Sequence, residues 1–177
     1  MLQGWNIGVV IPARNESNHI GQVLSTIPSF VDHAVVVDDG STDNTGEIAS
    51  SAHCSAEITL INLEGTGVGK AIDTGHQKLL EIFGDSKFVS AVMAGDGQMD
   101  PDELEGLVNC VISGRADHIK GDRSSHPDGL RNMPLIRRIA TVLLSFFTSL
   151  AAGQTISDSQ CGYTATSDMV LRNWNWA

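Results

Sequence analysis

Val35-Val36-Val37-Asp38-Asp39-Gly40-Ser41-Thr42-Asp43-Asn44-Thr45 is an apolar run that ends in two carboxylates, a glycine turn and a polar helix start. Three consecutive valines suit a strand buried on both faces. A strand that delivers paired acids to its C-terminal edge puts them where open α/β sheets bind ligands. Asp43 or Asn44 can cap the helix that follows. Capping accounts for one acid, but not for two consecutive ones ahead of the glycine.

Similar apolar runs recur at Ile7–Ile11, Ile58–Leu63 and Phe88–Met93, with a weaker one at His118–Lys120. Between them lie helical patterns. Ile20, Val23, Leu24 and Ile27 keep the i, i+3, i+4, i+7 spacing with Ser17 as a candidate cap, and Leu104, Leu107, Val108, Val111 and Ile112 repeat it after Pro101. Gly69 to Phe83 reads as a further helix. Strands alternating with amphipathic helices predict one α/β domain, a mostly parallel central sheet with helices on both faces. Towards the end, Gly121 to Arg131 reads as a loop, Ser157 to Ser167 as a returning strand and Asp168 to Leu171 as a helix start. Trp174 and Trp176 find no evident core partner, so a frayed terminus is expected.

The composition narrows the function classes. A chain of 177 residues, 41% hydrophobic and 18% charged, has the profile of one globular domain. A net charge of -10 excludes broad nucleic-acid binding, which needs a cationic surface. Cys54, Cys110 and Cys161 are odd in number and form no CxxC pair, which suggests reduced thiols in a cytoplasmic compartment. No basic n-region with an apolar h-region opens the chain, so no signal peptide is expected. The longest apolar stretch, Ile139 to Ala152, falls short of the ~20 residues that span a bilayer. That length favours a helix buried in the core. The alternative, with Arg137 and Arg138 just ahead of it, is a helix lying in a membrane interface.

Three further segments carry chemistry. Pro12-Ala13-Arg14-Asn15-Glu16 follows the first strand and combines a cation with an anion suited to a ribose, base or phosphate. Gly65-Thr66-Gly67-Val68-Gly69-Lys70 is one residue short of the phosphate-loop spacing and has Ala71 where a magnesium-binding hydroxyl belongs. A glycine-rich backbone with Lys70 at a helix start still suits an anion. In Ala94-Gly95-Asp96-Gly97-Gln98, Asp96 and Gln98 alternate across a small residue, so both can project the same way as oxygen donors to Mg2+ or Mn2+. Asp100, ahead of Pro101, reads as a helix cap.

Taken in order, IPARNES, VVVDDGSTDNT, GTGVGKAIDTG, AGDGQMDPDEL, IKGDR and SDSQCGYTA resemble a family 2 glycosyltransferase of the GT-A, nucleotide-diphospho-sugar transferase, Rossmann-like fold. The resemblance extends to enzymes that move sugar onto polyprenyl phosphate, such as dolichyl-phosphate mannose synthase, and covers almost all of residues 1–177. It implies a donor site for a UDP- or GDP-sugar at Pro12, Arg14, Glu16, Val37, Asp39, Lys70, Gly95, Asp96, Gln98 and Arg123. It implies Mg2+ or Mn2+ on Asp96 and Gln98, with Ala94 standing where the family has its first Asp. Arg131, Arg137 and Arg138 would meet a lipid phosphate acceptor at a membrane surface. The implied reaction is direct displacement with inversion. Asp96 serves it through the metal, and Asp158 is the late carboxylate for a hydroxyl acceptor, or else a brace of the acceptor loop. Family members usually continue further, so the resemblance also implies a chain shortened at its C-terminus. Two alternatives remain at this point, a nucleotide-sugar-binding module without turnover and a nucleotidyltransferase. The latter is expected to carry a glycine-rich basic loop after its first strand, and Pro12 to Glu16 has no glycine.

Overall fold

The computed structural model describes residues 1–122, 135–153, 157–158 and 160–176, with the side chains of 135–142 outside the description. The chain divides into two compact units, Met1–Ile119 with Tyr163–Ala177, and Lys120–Gly162.

The first unit is built on a six-stranded sheet. Its strands are β1 (Asn6–Ala13), β2 (His33–Asp39), β3 (Glu57–Leu63), β4 (Phe88–Val92), β5 (His118–Lys120) and β6 (Thr164–Ser167), in the order β3-β2-β1-β4-β6-β5. β1 pairs parallel with both β2 and β4, β2 pairs parallel with β3, and β6 runs antiparallel to β4. The central strands are apolar on both sides because helices cover both faces: Val9, Val10, Ile11, Val35, Val36 and Val37 are all fully buried.

The helices are α1 (Ile20–Ser25), α2 (Thr45–Ser51), α3 (Val68–Phe83), α4 (Leu104–Ile112), α5 (Leu135–Ala152) and α6 (Asp168–Arg172). α3 and α6 supply Ala71, Leu79 and Leu171 to one core, against Val10, Val35, Val37, Phe88 and Val92. The opposite face takes α1 and α2, with Ile20 beside Ala13 and Gly46 close to Asp38. The α3 contact is unusually close. A Cβ on Gly75 would stand 2.2 Å from Val10 Cγ1, so only glycine lets this helix seat on β1.

Several local expectations change. Ser17 does not cap α1; its N–H donates to Asp43 Oδ2 at 3.3 Å, and the helix begins after His19. The returning strand is confined to Thr164–Ser167, and Ser167 Oγ caps α6 by accepting from Val170 N–H. Trp176 packs against the α3–α6 core and its ring lies 6.4 Å from that of His76, so an aromatic that looked unpartnered in sequence has a seat. Asp100 caps as expected, accepting from Asp102 N–H at 2.9 Å.

In the second unit, α5 does not follow the expectation of a buried core helix. Leu143, Leu144, Phe146, Phe147 and Leu150 are exposed. Among the described residues, no helix is long and apolar enough to cross a membrane.

Candidate functional site

The parallel strands all deliver their C-terminal ends to one edge, and four loops meet there. The β1–α1 loop is stitched to the β2–α2 loop. Asn15, in the left-handed region at φ 56, donates its N–H to Ser41 Oγ at 2.9 Å. Its Oδ1 accepts from Thr42 N–H at 2.8 Å and from the Thr42 hydroxyl at 3.2 Å. Glu16 N–H donates to Thr45 Oγ1 at 2.8 Å. Asp43 accepts from Thr45 and Ser17, and its pKa is drawn down to about 2, first by the Thr45 hydroxyl and, against the cost of burial, by Ser17 and the Thr45 backbone.

The two-residue period of β2 splits the double acid between its faces. Asp38 points to the α2 side, where its Oδ1 accepts from Ser41 N–H at 2.9 Å and closes the Gly40 turn. Asp39 points to the α3 side. There Oδ1 accepts from Thr66 N–H at 2.6 Å and from the Thr66 hydroxyl at 3.0 Å, and Oδ2 accepts from Gly67 N–H at 2.7 Å. Burial pushes the Asp39 pKa up. The Thr66 and Gly67 backbone N–H groups, the Thr66 hydroxyl and the Arg14 guanidinium together overcome this and hold it below the ordinary carboxylate value. The glycine-rich segment therefore has an anion already, Asp39 itself.

Close backbone approach completes the junction. Gly40 sits at φ 73, and a Cβ there would lie 2.8 Å from Gly65 N. Arg14 lies over Gly65, its guanidinium 3.8 Å from where a Cβ would stand. Arg14 is exposed and, among the described residues, makes no hydrogen bond, so its donors remain available to an anion. Lys70 is exposed in the first turn of α3. The fourth loop joins through Gly95, whose N–H donates to Pro12 O at 3.2 Å and whose Cβ position is 3.1 Å from Ala13 Cβ.

Asp96 and Gln98 do not follow the strand alternation read from the sequence. β4 ends at Val92 and residues 95–97 form a turn, with Gly97 at φ 73. Asp96 Oδ1 accepts from Gln98 N–H at 3.0 Å, while Oδ2 makes no hydrogen bond among the described residues. The Gln98 side chain is exposed, and Asp96 borders a cavity of ≈ 280 Å³ lined also by His19, Gln22, Thr26 and Met99. Among the described residues no group of three His, Cys, Asp or Glu side chains gathers around one point. A cation beside Asp96 would thus have one carboxylate and otherwise ligand and water oxygens, and Gln98 is not among the residues lining the cavity. That set suits Mg2+ or Mn2+, which keep waters and share phosphate oxygens.

Val37 is fully buried in the α3 core, so its side chain is not part of an open surface. Tyr163, just ahead of β6, donates its hydroxyl to Asp100 O at 3.0 Å and ties the late segment to the β4–α4 loop. Asp158 is buried and accepts from Gln160 N–H at 3.0 Å. Arg123 and Arg131 lie outside the described residues; Arg137 and Arg138 fall in the first turn of α5, with their side chains outside the description. Sequence reasoning missed Asn15, Thr66 and Asp43 as the pieces that lock the loops. The available signal was Asn15, a residue type that tolerates positive φ, directly after Arg14.

The Glycosyl transferase family 2 profile matches residues 8–174. The chain belongs to glycosyl transferase family 2. The UDP-N-acetylglucosamine–dolichyl-phosphate N-acetylglucosaminyltransferase of Methanococcus voltae is 30% identical, covering 94% of this chain and 71% of its own length. The polyprenol monophosphomannose synthase of Mycolicibacterium smegmatis is 31% identical, covering 92% of this chain and 62% of its own. Glucosyl-3-phosphoglycerate synthase from Mycobacterium tuberculosis, solved with Mn2+, UDP and phosphoglyceric acid, superposes at a TM-score of 0.64 with 23% identity, over 94% of this chain and 57% of that one. The fold of this family 2 chain is GT-A: an α/β domain with a mostly parallel central sheet.

Proposed function

We propose that this chain is the donor-binding and transfer domain of an inverting glycosyltransferase that moves a sugar from a nucleotide diphosphate sugar to a polyprenyl phosphate. The observation that carries the reading is the four-loop junction at the C-terminal edge of β1, β2, β3 and β4. It holds an Arg14 guanidinium beside Asp39 with its donors open, and a half-free Asp96 carboxylate, on one preorganised sheet edge. Both named relatives act on a lipid phosphate, and the similar solved synthase holds UDP with Mn2+. The family match favours glycosyl over nucleotidyl transfer.

In this reading Arg14, Glu16 and the Pro12 segment meet the base and ribose, and Lys70 and Arg123 face phosphate. Asp39 contributes by holding the Thr66–Gly67 turn under Arg14 as well as through any ligand contact of its own. Asp96 holds the metal, whose role when bound is to neutralise charge on the leaving diphosphate. An acceptor phosphate is already anionic near neutral pH and needs no strong general base, which fits a site with few free carboxylates. Asp158, engaged by its own loop, acts as a brace of the acceptor side. Arg131, Arg137 and Arg138 meet the lipid phosphate, and the protein works in the cytoplasm, peripherally at a membrane surface.

Calorimetric titration with UDP- and GDP-sugars, with and without Mn2+, tests the donor half. One donor should bind in a metal-dependent way, and Asp96→Ala should remove about 2 kcal/mol or more of that affinity. Transfer of radiolabelled sugar to a short polyprenyl phosphate in detergent tests the acceptor half. Metal-independent binding unchanged in Asp96→Ala would overturn the metal assignment. Donor binding without transfer would identify a binding module instead.

A further inference from the structure

Asn15 stands between Arg14 and Glu16 at φ 56, in the left-handed region that L residues other than Asn and Asp rarely enter. Its hydrogen bonds among the described residues all go to the β2–α2 loop. The N–H donates to Ser41 Oγ at 2.9 Å, and Oδ1 accepts from Thr42 N–H at 2.8 Å and from the Thr42 hydroxyl at 3.2 Å. A backbone N–H can only donate, so the Thr42 contact fixes which end of the amide is oxygen. Both lone pairs of that oxygen are then taken, and Asn15 reaches a ligand through its neighbours.

Those neighbours are the donor candidates. β1 ends at Ala13 and α1 begins at Ile20, while β2 ends at Asp39 and α2 begins at Thr45. Asn15 and Thr42 therefore lie where neither a sheet ladder nor a helix holds the backbone. The φ of residue 15 sets the angle between the peptide on the Arg14 side and the peptide on the Glu16 side. Relaxing it to an ordinary helical value would rotate one against the other by about 120°. Arg14 would leave its seat over Gly65, and Glu16 N–H would leave Thr45 Oγ1, which it now meets at 2.8 Å. One exposed amide thus governs the direction of two flanking side chains of opposite charge.

We propose that Asn15 is a positioning residue of the donor site, clamping Thr42 from the left-handed region so that Arg14 and Glu16 face a nucleoside diphosphate together; this rests on the donor reading above. The test is calorimetric titration of the full chain with UDP and with GDP, each with Mn2+, alongside Tm and amide exchange at Thr42. Asn15→Gly keeps the left-handed backbone without steric cost and removes only the clamp. It should quicken exchange at Thr42, leave Tm nearly unchanged and weaken the nucleotide that wild type binds by about tenfold, the worth of the two lost bonds. Asn15→Asp keeps both the φ and the acceptor, and in about 0.3 M KCl, which screens its charge, it should bind within about threefold of wild type. Asn15→Gly that binds like wild type, or Asn15→Asp that binds as poorly as Asn15→Gly, would overturn the positioning role. Should Asn15→Gly fail to fold, Ser41→Ala/Thr42→Val strips the hydroxyls that meet Asn15 and should also weaken binding; full affinity in that folded variant would overturn the role as well. Wild type that binds neither nucleotide overturns the donor reading itself. Exchange at Thr42 then judges the clamp separately, and equal rates in wild type and Asn15→Gly would refute it.

Discussion

His76 makes the stability of the first unit pH-dependent in a direction that can be worked out. The ring is buried in α3, its Nδ1 lies 2.8 Å from Ser90 Oγ on β4, and Trp176 packs beside it. Burial, helped by the charge of His118, pulls its pKa from 6.5 down to about 4. The unfolded chain therefore binds the proton that the folded one refuses. Stability is complete above pH 6.5 and is lost as the pH falls towards 4. With those two values, linkage gives a loss of about 2 kcal/mol at pH 5 and about 3 kcal/mol at pH 4 relative to neutral pH. Urea unfolding at pH 7.5 and pH 5, followed by tryptophan fluorescence, should recover that difference between wild type and His76→Gln, whose amide can still reach Ser90. Asp43, with its lowered pKa, also weakens the fold in acid, but it does so equally in both proteins and cancels. A variant that loses as much stability as wild type between these pH values would show that His76 is not the group held neutral. The consequence reaches function because α3 begins at the Thr66–Gly67 turn that Asp39 braces.

Two further outcomes are expected. Asp39→Asn should lower both Tm and donor affinity, the latter roughly tenfold, because an amide nitrogen would face the Thr66 or Gly67 N–H that the carboxylate now accepts; unchanged calorimetric affinity with a lowered Tm would make Asp39 a brace alone. Gly75→Ala should destabilise the protein by about 1–2 kcal/mol in urea unfolding, since overpacking against Val10 at 2.2 Å outweighs the gain in helix propensity of ~1 kcal/mol. Adding Val10→Ala should recover part of the loss, and a Gly75→Ala protein as stable as wild type would show that α3 seats less tightly on β1.

Periodicity alone located β1 to β4, α1, α3 and α4, because buried strands and half-buried helices must repeat their apolar residues at fixed spacing. The ordered motifs named the family and its sheet edge, since those segments sit at strand ends that backbone geometry sends to one side. Three things were decided only by the folded structure. Which partner each acid serves depends on the strand's alternation and on loops far along the chain, so the pair Asp38–Asp39 separates into a turn closure towards Ser41 and a brace of Thr66 and Gly67. The alternation assumed for Asp96 and Gln98 failed because Gly97 turns the chain after β4. The orientation of α5 was equally closed to the sequence, because an apolar run of that length fits a core or a membrane surface alike. Only the packed structure, by covering Ser145 and leaving Phe146 and Phe147 bare, sets the core reading aside.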